Sequence, residues 1–246
     1  MKTYGLIGRN ISYSFSRNFF KKKFENEHIP ALYLNYDLAQ AGEIKKILRD
    51  NPEIAGFNVT IPYKQEIIPY LDELDPIAAQ IGAVNTIKID KTGKLTGYNT
   101  DYYGFMESLK PHLQKQHTHA LILGTGGASK AVAFALNKLN IRYKFVSRTP
   151  TAGNFIYSEL NKEHLENHKL IINCTPLGTH PNISDYPPIP TNYITNEHLV
   201  FDLIYNPPVS GLLKQALQHH ATAVNGQLML ELQAEKAWEI WNSQSK

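Results

Sequence analysis

Cysteine, net charge and long apolar runs are all scarce in this chain, and each scarcity closes off a class of protein. The one cysteine, Cys174, has no partner for an intrachain disulfide and fits a reducing compartment. It sits in the apolar run 170–174, where a core thiol is the expected reading. No apolar stretch approaches the roughly 18 residues of a membrane span. Residues 4–8 pass straight into Arg9 and Asn10, which is not the pattern of a signal peptide. A net charge of +3 is too small to mark a nucleic-acid surface. The cationic run Lys21-Lys22-Lys23 lies among Phe19, Phe20 and Phe24, as on an amphipathic helix with a solvated face. Hydrophobic content of 42% with 19% charged residues belongs to an ordinary globular protein. The expectation is a cytoplasmic protein with neither membrane nor nucleic acid as partner.

What is present is an alternation of strand and helix patterns. Short apolar strands are expected over residues 3–8 and 31–36, and from Ile54 to Ile61, where Pro62 ends the ladder for want of an amide donor. Helices are expected over 18–26 and 41–49. A helical turn over 77–81 and a strand over 83–89 follow, then a hairpin over 90–94 with Gly93 as its turn residue. From Ala120 a second series begins: a strand over 120–123, a Gly-rich turn, a helix over 129–139, and strands over 143–147, 170–173 and 199–203. Residues 228–241 carry apolar side chains at helical spacing, and the proline-rich stretch 181–190 reads as a loop. Such alternation predicts an α/β fold with parallel sheets. A length of 246 residues accommodates one large domain or two small ones, with the polar link 110–119 a candidate boundary.

Two stretches carry chemistry. Where the strand before Pro62 ends, the chain supplies the hydroxyl of Thr60 and the amine of Lys64. A lysine held beside a ligand gives up its proton more readily than a solvated one, because burial disfavours the ammonium. Lys64 is therefore a candidate acid/base, against the plainer reading of a surface lysine after a strand. The second stretch is Gly124-Thr125-Gly126-Gly127-Ala128, after a strand and before a helix, with Ser129 as the third small residue of a dinucleotide turn. Its glycines let backbone approach a pyrophosphate seated on the helix N-terminus. The next strand ends in Ser147-Arg148-Thr149, without the acid that grips the ribose hydroxyls of NAD. These residues can instead hydrogen-bond a ribose 2′-phosphate, Arg148 through two donors, which points to NADP(H). His117, His119, His219 and His220 lack acidic or cysteine partners at ligand spacing, so no metal is expected.

Taken in order, the motifs resemble the shikimate dehydrogenase family. Gly5-Leu6-Ile7-Gly8 with Ser14-Phe15-Ser16 is similar to its N-terminal strand and paired-serine loop. Asn58-Val59-Thr60-Ile61-Pro62-Tyr63-Lys64, Gly82-Ala83-Val84-Asn85-Thr86, Gly97-Tyr98-Asn99-Thr100-Asp101 and the stretch from Asn225-Gly226-Gln227 to Gln233-Ala234 resemble further family motifs. The resemblance spans nearly the whole chain. Tyr13 and Arg17 depart from it, standing where the family usually has histidine and proline.

The resemblance implies NADPH-dependent, reversible reduction of 3-dehydroshikimate to shikimate. It implies Lys64 as general acid/base with Asp101 beside it, although Asp101 can also be read as the N-cap of a helix over 102–109. Ser14 and Ser16 offer hydroxyl donors to the substrate carboxylate, and Thr60, Asn85, Gln233 and Tyr205 offer partners to ring hydroxyls. Taken singly, each has a plainer explanation: a turn cap for Thr60 and Asn85, helix surface for Gln233, a turn for Tyr205 before Asn206-Pro207-Pro208. The implied architecture is a substrate domain of residues 1–101 joined by 226–246, and a Rossmann-like NADP-binding domain of 102–225. A cleft between them must close for hydride transfer, with Leu203 and Gly226 near the nicotinamide. The chain is expected to work as a monomer or homodimer. Rivals are a quinate/shikimate dehydrogenase of broader substrate and cofactor use, a methylenetetrahydrofolate dehydrogenase, and a non-catalytic NADP-binding relative.

Overall fold

Among the described residues, two six-stranded sheets organise the chain, each inside its own compact unit. A computed structural model describes residues 1–12 and 14–243, so Tyr13 lies outside the described residues. One unit is Met1–Asp101 together with the residues from Gln233 onward, and the other is Tyr102–Leu232.

The first unit contains β1 (Lys2–Gly8), α1 (Phe15–Asn26), β2 (Ala31–Asp37), a 3-10 turn (Ala41–Glu43) leading into α2 (Ile44–Asp50), β3 (Ile54–Val59), β4 (Glu73–Leu74), α3 (Pro76–Ile81), β5 (Thr86–Ile89) and β6 (Leu95–Tyr98). The sheet order is β2-β1-β3-β5-β6-β4. β1 pairs parallel with β2 and β3, whereas β5 runs antiparallel to both β3 and β6. The sheet is therefore mixed rather than parallel throughout. The tight turn at Asp90–Lys94 forces antiparallel pairing, because a parallel neighbour needs a long crossover. β1 is covered on both faces: Tyr4 and Leu6 join one apolar cluster with Phe20 and Phe24 of α1, and Ile7 joins another with Ile44 and Phe57.

The second unit contains α4 (Asp101–Leu109, of which Asp101 belongs to the first unit), β7 (His119–Leu123), α5 (Gly127–Lys138), β8 (Arg142–Ser147), β9 (Phe155–Ile156), α6 (Lys162–Asn167), β10 (Leu170–Asn173), β11 (Leu199–Asp202), α7 (Gly211–Gln218) and β12 (Thr222–Asn225). All pairs in the order β12-β11-β10-β7-β8-β9 are parallel. The order reverses at β7 and β10, the switch point at which open α/β sheets bind ligands beyond the carboxyl ends of their strands. α8 (Gln227–Asn242) closes the chain. Met229 in its first turn joins the core of the second unit, and Ala234, Ala237 and Trp241 join that of the first. The change of unit accordingly falls at Gln233 and not at Gly226. Trp241 donates from Nε1 to the Ile87 carbonyl at 3.0 Å, and Lys88 Nζ reaches the Ser243 carbonyl at 2.6 Å, fixing the helix end to β5.

Several boundaries differ from the sequence expectation for physical reasons. α1 starts at Phe15, before residue 18, because Ser14 caps it by accepting the Arg17 amide. α5 starts at Gly127, since two of the turn's glycines and small residues already adopt the first helical turn. Residues 83–85 precede β5 instead of extending it, and Leu203 lies beyond β11. The polar link 110–119 is no boundary; it folds inside the second unit, where His117 accepts the Gln114 amide at Nδ1 and meets the Glu197 carbonyl at 3.2 Å with Nε2. Among the described residues no helix is long and apolar enough to cross a membrane.

Candidate active site

Strand direction gathers the motifs of the first unit at one sheet end. β3 and β6 finish there and β5 begins there, so Thr60–Lys64, Asn85 and Asn99–Asp101, far apart in sequence, become neighbours. Backbone bonds hold them: Val59 N to Asn85 O at 2.8 Å, Asn85 N to Tyr98 O at 3.0 Å, and Val84 N to Lys64 O at 2.7 Å. Lys64 Nζ lies 2.7 Å from Asp101 Oδ2, with the lysine side chain 18% exposed and the aspartate 8%. Asn85 Nδ2 donates to Asp101 Oδ1 at 2.9 Å, and its Oδ1 accepts the Thr100 amide at 2.7 Å. Gln233 Oε1 closes the group, 3.4 Å from both Asn85 Nδ2 and Thr100 Oγ1. A partly exposed lysine amine thus stands beside a buried set of amide and hydroxyl groups.

The paired serines stand at the N-terminus of α1 in the same unit. Ser14 is buried and uses an oxygen lone pair as the helix cap, which leaves its hydroxyl hydrogen available to a ligand. Ser16 lies one residue inside the helix, not in the loop where sequence reasoning put it. Thr60 is half-buried, with its amide donating to Ile7. Asn58 and Thr100, each inside one of the family-like motifs, are buried polar residues whose part in the site the sequence pattern alone does not mark. Asn58 accepts from the Tyr33 hydroxyl at 2.7 Å and donates towards Asn85 O and Thr86 Oγ1. Burial pushes the Tyr33 phenol far above its usual range, so it stays a neutral donor.

The second unit brings its candidates to the carboxyl ends of its strands. Gly124 follows β7 with φ of +101°, a conformation open to glycine, and a Cβ there would meet the Thr175 methyl at 3.1 Å. Gly126 caps α5 without any side-chain cap, no acid occupies the first turn, and a Cβ at Gly126 would find nothing within 4 Å. The N-terminus of a 12-residue helix with no side-chain cap, beside open space, fits a pyrophosphate. Thr125 is exposed, Ala128 half-buried, and Ser129 buried with its hydroxyl donating to Gly126 O at 2.7 Å. After β8, Arg148 and Thr149 are exposed, while the Ser147 hydroxyl donates to the Thr149 carbonyl. After β11 and β12, Leu203 and Gly226 meet so closely that a Cβ on Gly226 would stand 2.7 Å from the Leu203 carbonyl carbon and nearer still to its oxygen. Tyr205 is half-buried in the same turn, in the second unit rather than among the other substrate candidates. Cys174, after β10, has its thiol pushed up by burial and then by Asp202, which suits a core thiol and not a nucleophile.

Comparison with known proteins identifies the family of the chain. The profile of the shikimate dehydrogenase substrate binding domain matches residues 6–87. A shikimate dehydrogenase (NADP(+)) of Clostridium botulinum is 40% identical over 98% of this chain and 96% of its own length. The crystal structure of shikimate dehydrogenase from Aquifex aeolicus superposes with a TM-score of 0.87 at 32% identity, covering 98% of this chain and 92% of that one. The Thermus thermophilus enzyme, solved in complex with NADP(H) and shikimate, gives a TM-score of 0.86 at 29% identity over 98% of this chain and 94% of that one. With identity of this degree along the full length, the chain belongs to the shikimate dehydrogenase family.

Proposed function

We propose that this protein reduces 3-dehydroshikimate to shikimate reversibly, using NADPH, with Lys64 as general acid and Asp101 as its partner. The observation that carries the assignment is the 2.7 Å Lys64–Asp101 pair set among Asn85, Thr100 and Gln233. NADPH, held by the turn 124–128, would supply the hydride for the carbonyl carbon. As the carbonyl oxygen gains charge, the Lys64 ammonium transfers a proton to it, giving the alcohol and a neutral amine. Partial exposure of Lys64 allows solvent to restore that proton, and the reverse reaction uses the amine as base. Asp101 holds the amine in line through Oδ2, and its own plane is fixed by Asn85 at Oδ1.

The substrate carboxylate is assigned to the hydroxyls of Ser14 and Ser16, and the ring hydroxyls to Thr60, Asn85, Gln233 and Tyr205. Every one of these groups exchanges hydrogen bonds without carrying charge, as suits a polyhydroxylated ring. NADP(H) is assigned to the turn 124–128, with the 2′-phosphate on Arg148 and Thr149 and the nicotinamide end near Leu203 and Gly226. The buried thiol of Cys174 is compatible with cytoplasmic residence, and the reaction requires no partner beyond a monomer or homodimer.

Following absorbance of reduced nicotinamide with shikimate and quinate, each offered with NADP and NAD, tests the assignment. Shikimate with NADP is expected to give the highest kcat/KM by orders of magnitude over quinate, since a ring of different hydroxyl pattern leaves buried polar groups unpaired. Comparable efficiency on quinate would move the protein to the broader quinate/shikimate class. Binding of NADPH without turnover would leave only a cofactor-binding relative.

A further inference from the structure

Asp202 is a buried carboxylate that the proposed reaction does not use. It ends β11, is fully buried, and makes no ion pair with any cation among the described residues. Three donors from three segments converge on it instead. Asn173, at the end of β10, donates from Nδ2 to Oδ1 at 3.0 Å. The Ile204 amide, in the turn after β11, donates to the same oxygen at 3.1 Å. The Ser210 hydroxyl, at the N-cap of α7, donates to Oδ2 and itself accepts the Leu213 amide.

Two of these partners, Asn173 and Ile204, lead on to the cofactor side of the sheet. The other side-chain atom of Asn173, Oδ1, accepts both the amide and the hydroxyl of Thr175, at 2.9 and 2.7 Å. Thr175 is the residue whose methyl packs where Gly124 has no Cβ, so this branch ends at the Gly-rich turn. Leu203 N donates to the Asn173 carbonyl at 3.0 Å, and the Ile204 carbonyl accepts from Gly226 N at 3.1 Å. That second branch ends at the close contact between Leu203 and Gly226.

We infer that Asp202 is a positioning residue of the cofactor site, a clamp that joins the carboxyl ends of β10 and β11 and fixes the Leu203–Gly226 surface against which the nicotinamide end of NADP(H) rests. The inference rests on reading this unit as the NADP(H) site. A carboxylate suits the task because its two oxygens accept all three donors at once, which a single amide oxygen cannot. Burial pushes its carboxyl up to about 6, partly offset by the bonds from Ser210, Ile204 and Asn173. It is therefore ionised and acceptor-only at neutral pH. The titratable group facing it, the Cys174 thiol, is itself pushed up by burial and stays neutral.

The test compares the full-length protein with Asp202→Ala and Asp202→Asn. The probes are adenosine 2′,5′-bisphosphate for the adenine end, the fluorescence of bound NADPH for the nicotinamide end, and shikimate turnover. For Asp202→Ala we expect kcat to fall about 10- to 100-fold, the cost of an ill-placed reacting group. The NADPH fluorescence change on binding should be lost, with bisphosphate affinity and the KM for shikimate held within about twofold, since those contacts lie elsewhere. Asp202→Asn keeps an acceptor for Asn173 and Ile204 and should recover most of kcat. Unchanged kcat and NADPH fluorescence in Asp202→Ala would overturn the inference. So would a parallel loss of bisphosphate affinity, shikimate KM and melting temperature, which would make Asp202 a general support of the fold. A wild-type protein that binds NADPH but does not oxidise shikimate would remove the proposed reaction, while the two cofactor probes would still decide the role of Asp202.

Discussion

Asn85 donates from Nδ2 to Oδ1 of Asp101 at 2.9 Å, on the oxygen opposite the one held by Lys64. Each carboxylate oxygen therefore has its own partner, and the plane of the group cannot rotate without breaking one of two charge-assisted bonds. Asn85 is itself fixed, because its Oδ1 accepts the Thr100 amide at 2.7 Å. Rigidity passes from the backbone of one motif through the side chain of a second to the amine of a third.

Loss of the amine is expected to affect chemistry more than binding. Lys64→Ala should lower kcat by roughly 100-fold or more, the usual contribution of a general acid, with a much smaller change in KM for shikimate. Asp101→Asn should lower kcat as well, since an amide in its place cannot accept from both Lys64 and Asn85 in the same way. Steady-state kinetics with isothermal titration of shikimate separates the two effects. A defect confined to KM would make Lys64 a binding residue.

The motifs were legible in the sequence because their chemistry is local: a hydroxyl and an amine at a strand end, and glycines between a strand and a helix. The strand order was not. Nothing in the stretch 83–89 announces that it runs antiparallel to β3, yet that pairing is what brings residues 84 and 85 beside the chain leading to Lys64. Ser16 was misplaced by one element because Ser14 turned out to be the cap, and either serine could have filled that role. Asp202 went unnoticed because one acid after an apolar strand looks like any strand end. Its importance lies in donors from residues 173, 204 and 210, which only the fold brings together. The short elements α6, β4 and β9 carry too few residues to show a period.

Gly226→Ala is expected to damage both stability and cofactor use. The new methyl would overlap the Leu203 carbonyl, and backbone cannot step aside as a flexible side chain would. Overpacking of this kind costs about 1–3 kcal/mol, read as a lower urea midpoint at unchanged m-value. The KM for NADP should rise as Leu203 is displaced. Full stability with unchanged kinetics would show that the two strand ends separate freely.

Asp202 gives the folded protein a specific pH dependence. Its carboxyl is raised from 3.8 to about 6 on folding. The folded state therefore holds this proton more tightly than the unfolded chain, so the group favours folding below its unfolded value. That advantage is lost as pH rises through about 6. The size is about 2–3 kcal/mol from the separation of the two values. Asp202→Asn, which does not titrate, should gain stability relative to the wild type between pH 4 and pH 7. Urea unfolding of both proteins across that range checks it, and a constant gap between them would mean that Asp202 does not titrate in the window.

In the proposed assignment, cofactor choice rests on one exposed guanidinium, that of Arg148. The Ser147 hydroxyl already donates to the Thr149 carbonyl, so it has no hydrogen to offer a phosphate unless that bond breaks. Discrimination between NADP and NAD then falls to Arg148, helped by the Thr149 hydroxyl, with no carboxylate at that position to repel the 2′-phosphate. Hydrogen bonds to charged groups contribute roughly 1.5–3 kcal/mol, so a single arginine supplies about a 10- to 100-fold preference and leaves NAD weakly active. Arg148→Ala should raise the KM for NADP by that factor and leave the NAD reaction nearly unchanged. Raising the salt concentration should erode the wild-type preference in the same direction, because an exposed ion pair is screened. If the preference for NADP survived Arg148→Ala, some other residue of the second unit would be reading the phosphate. Paired measurement of kcat/KM for both cofactors, in both proteins and at two ionic strengths, distinguishes these outcomes.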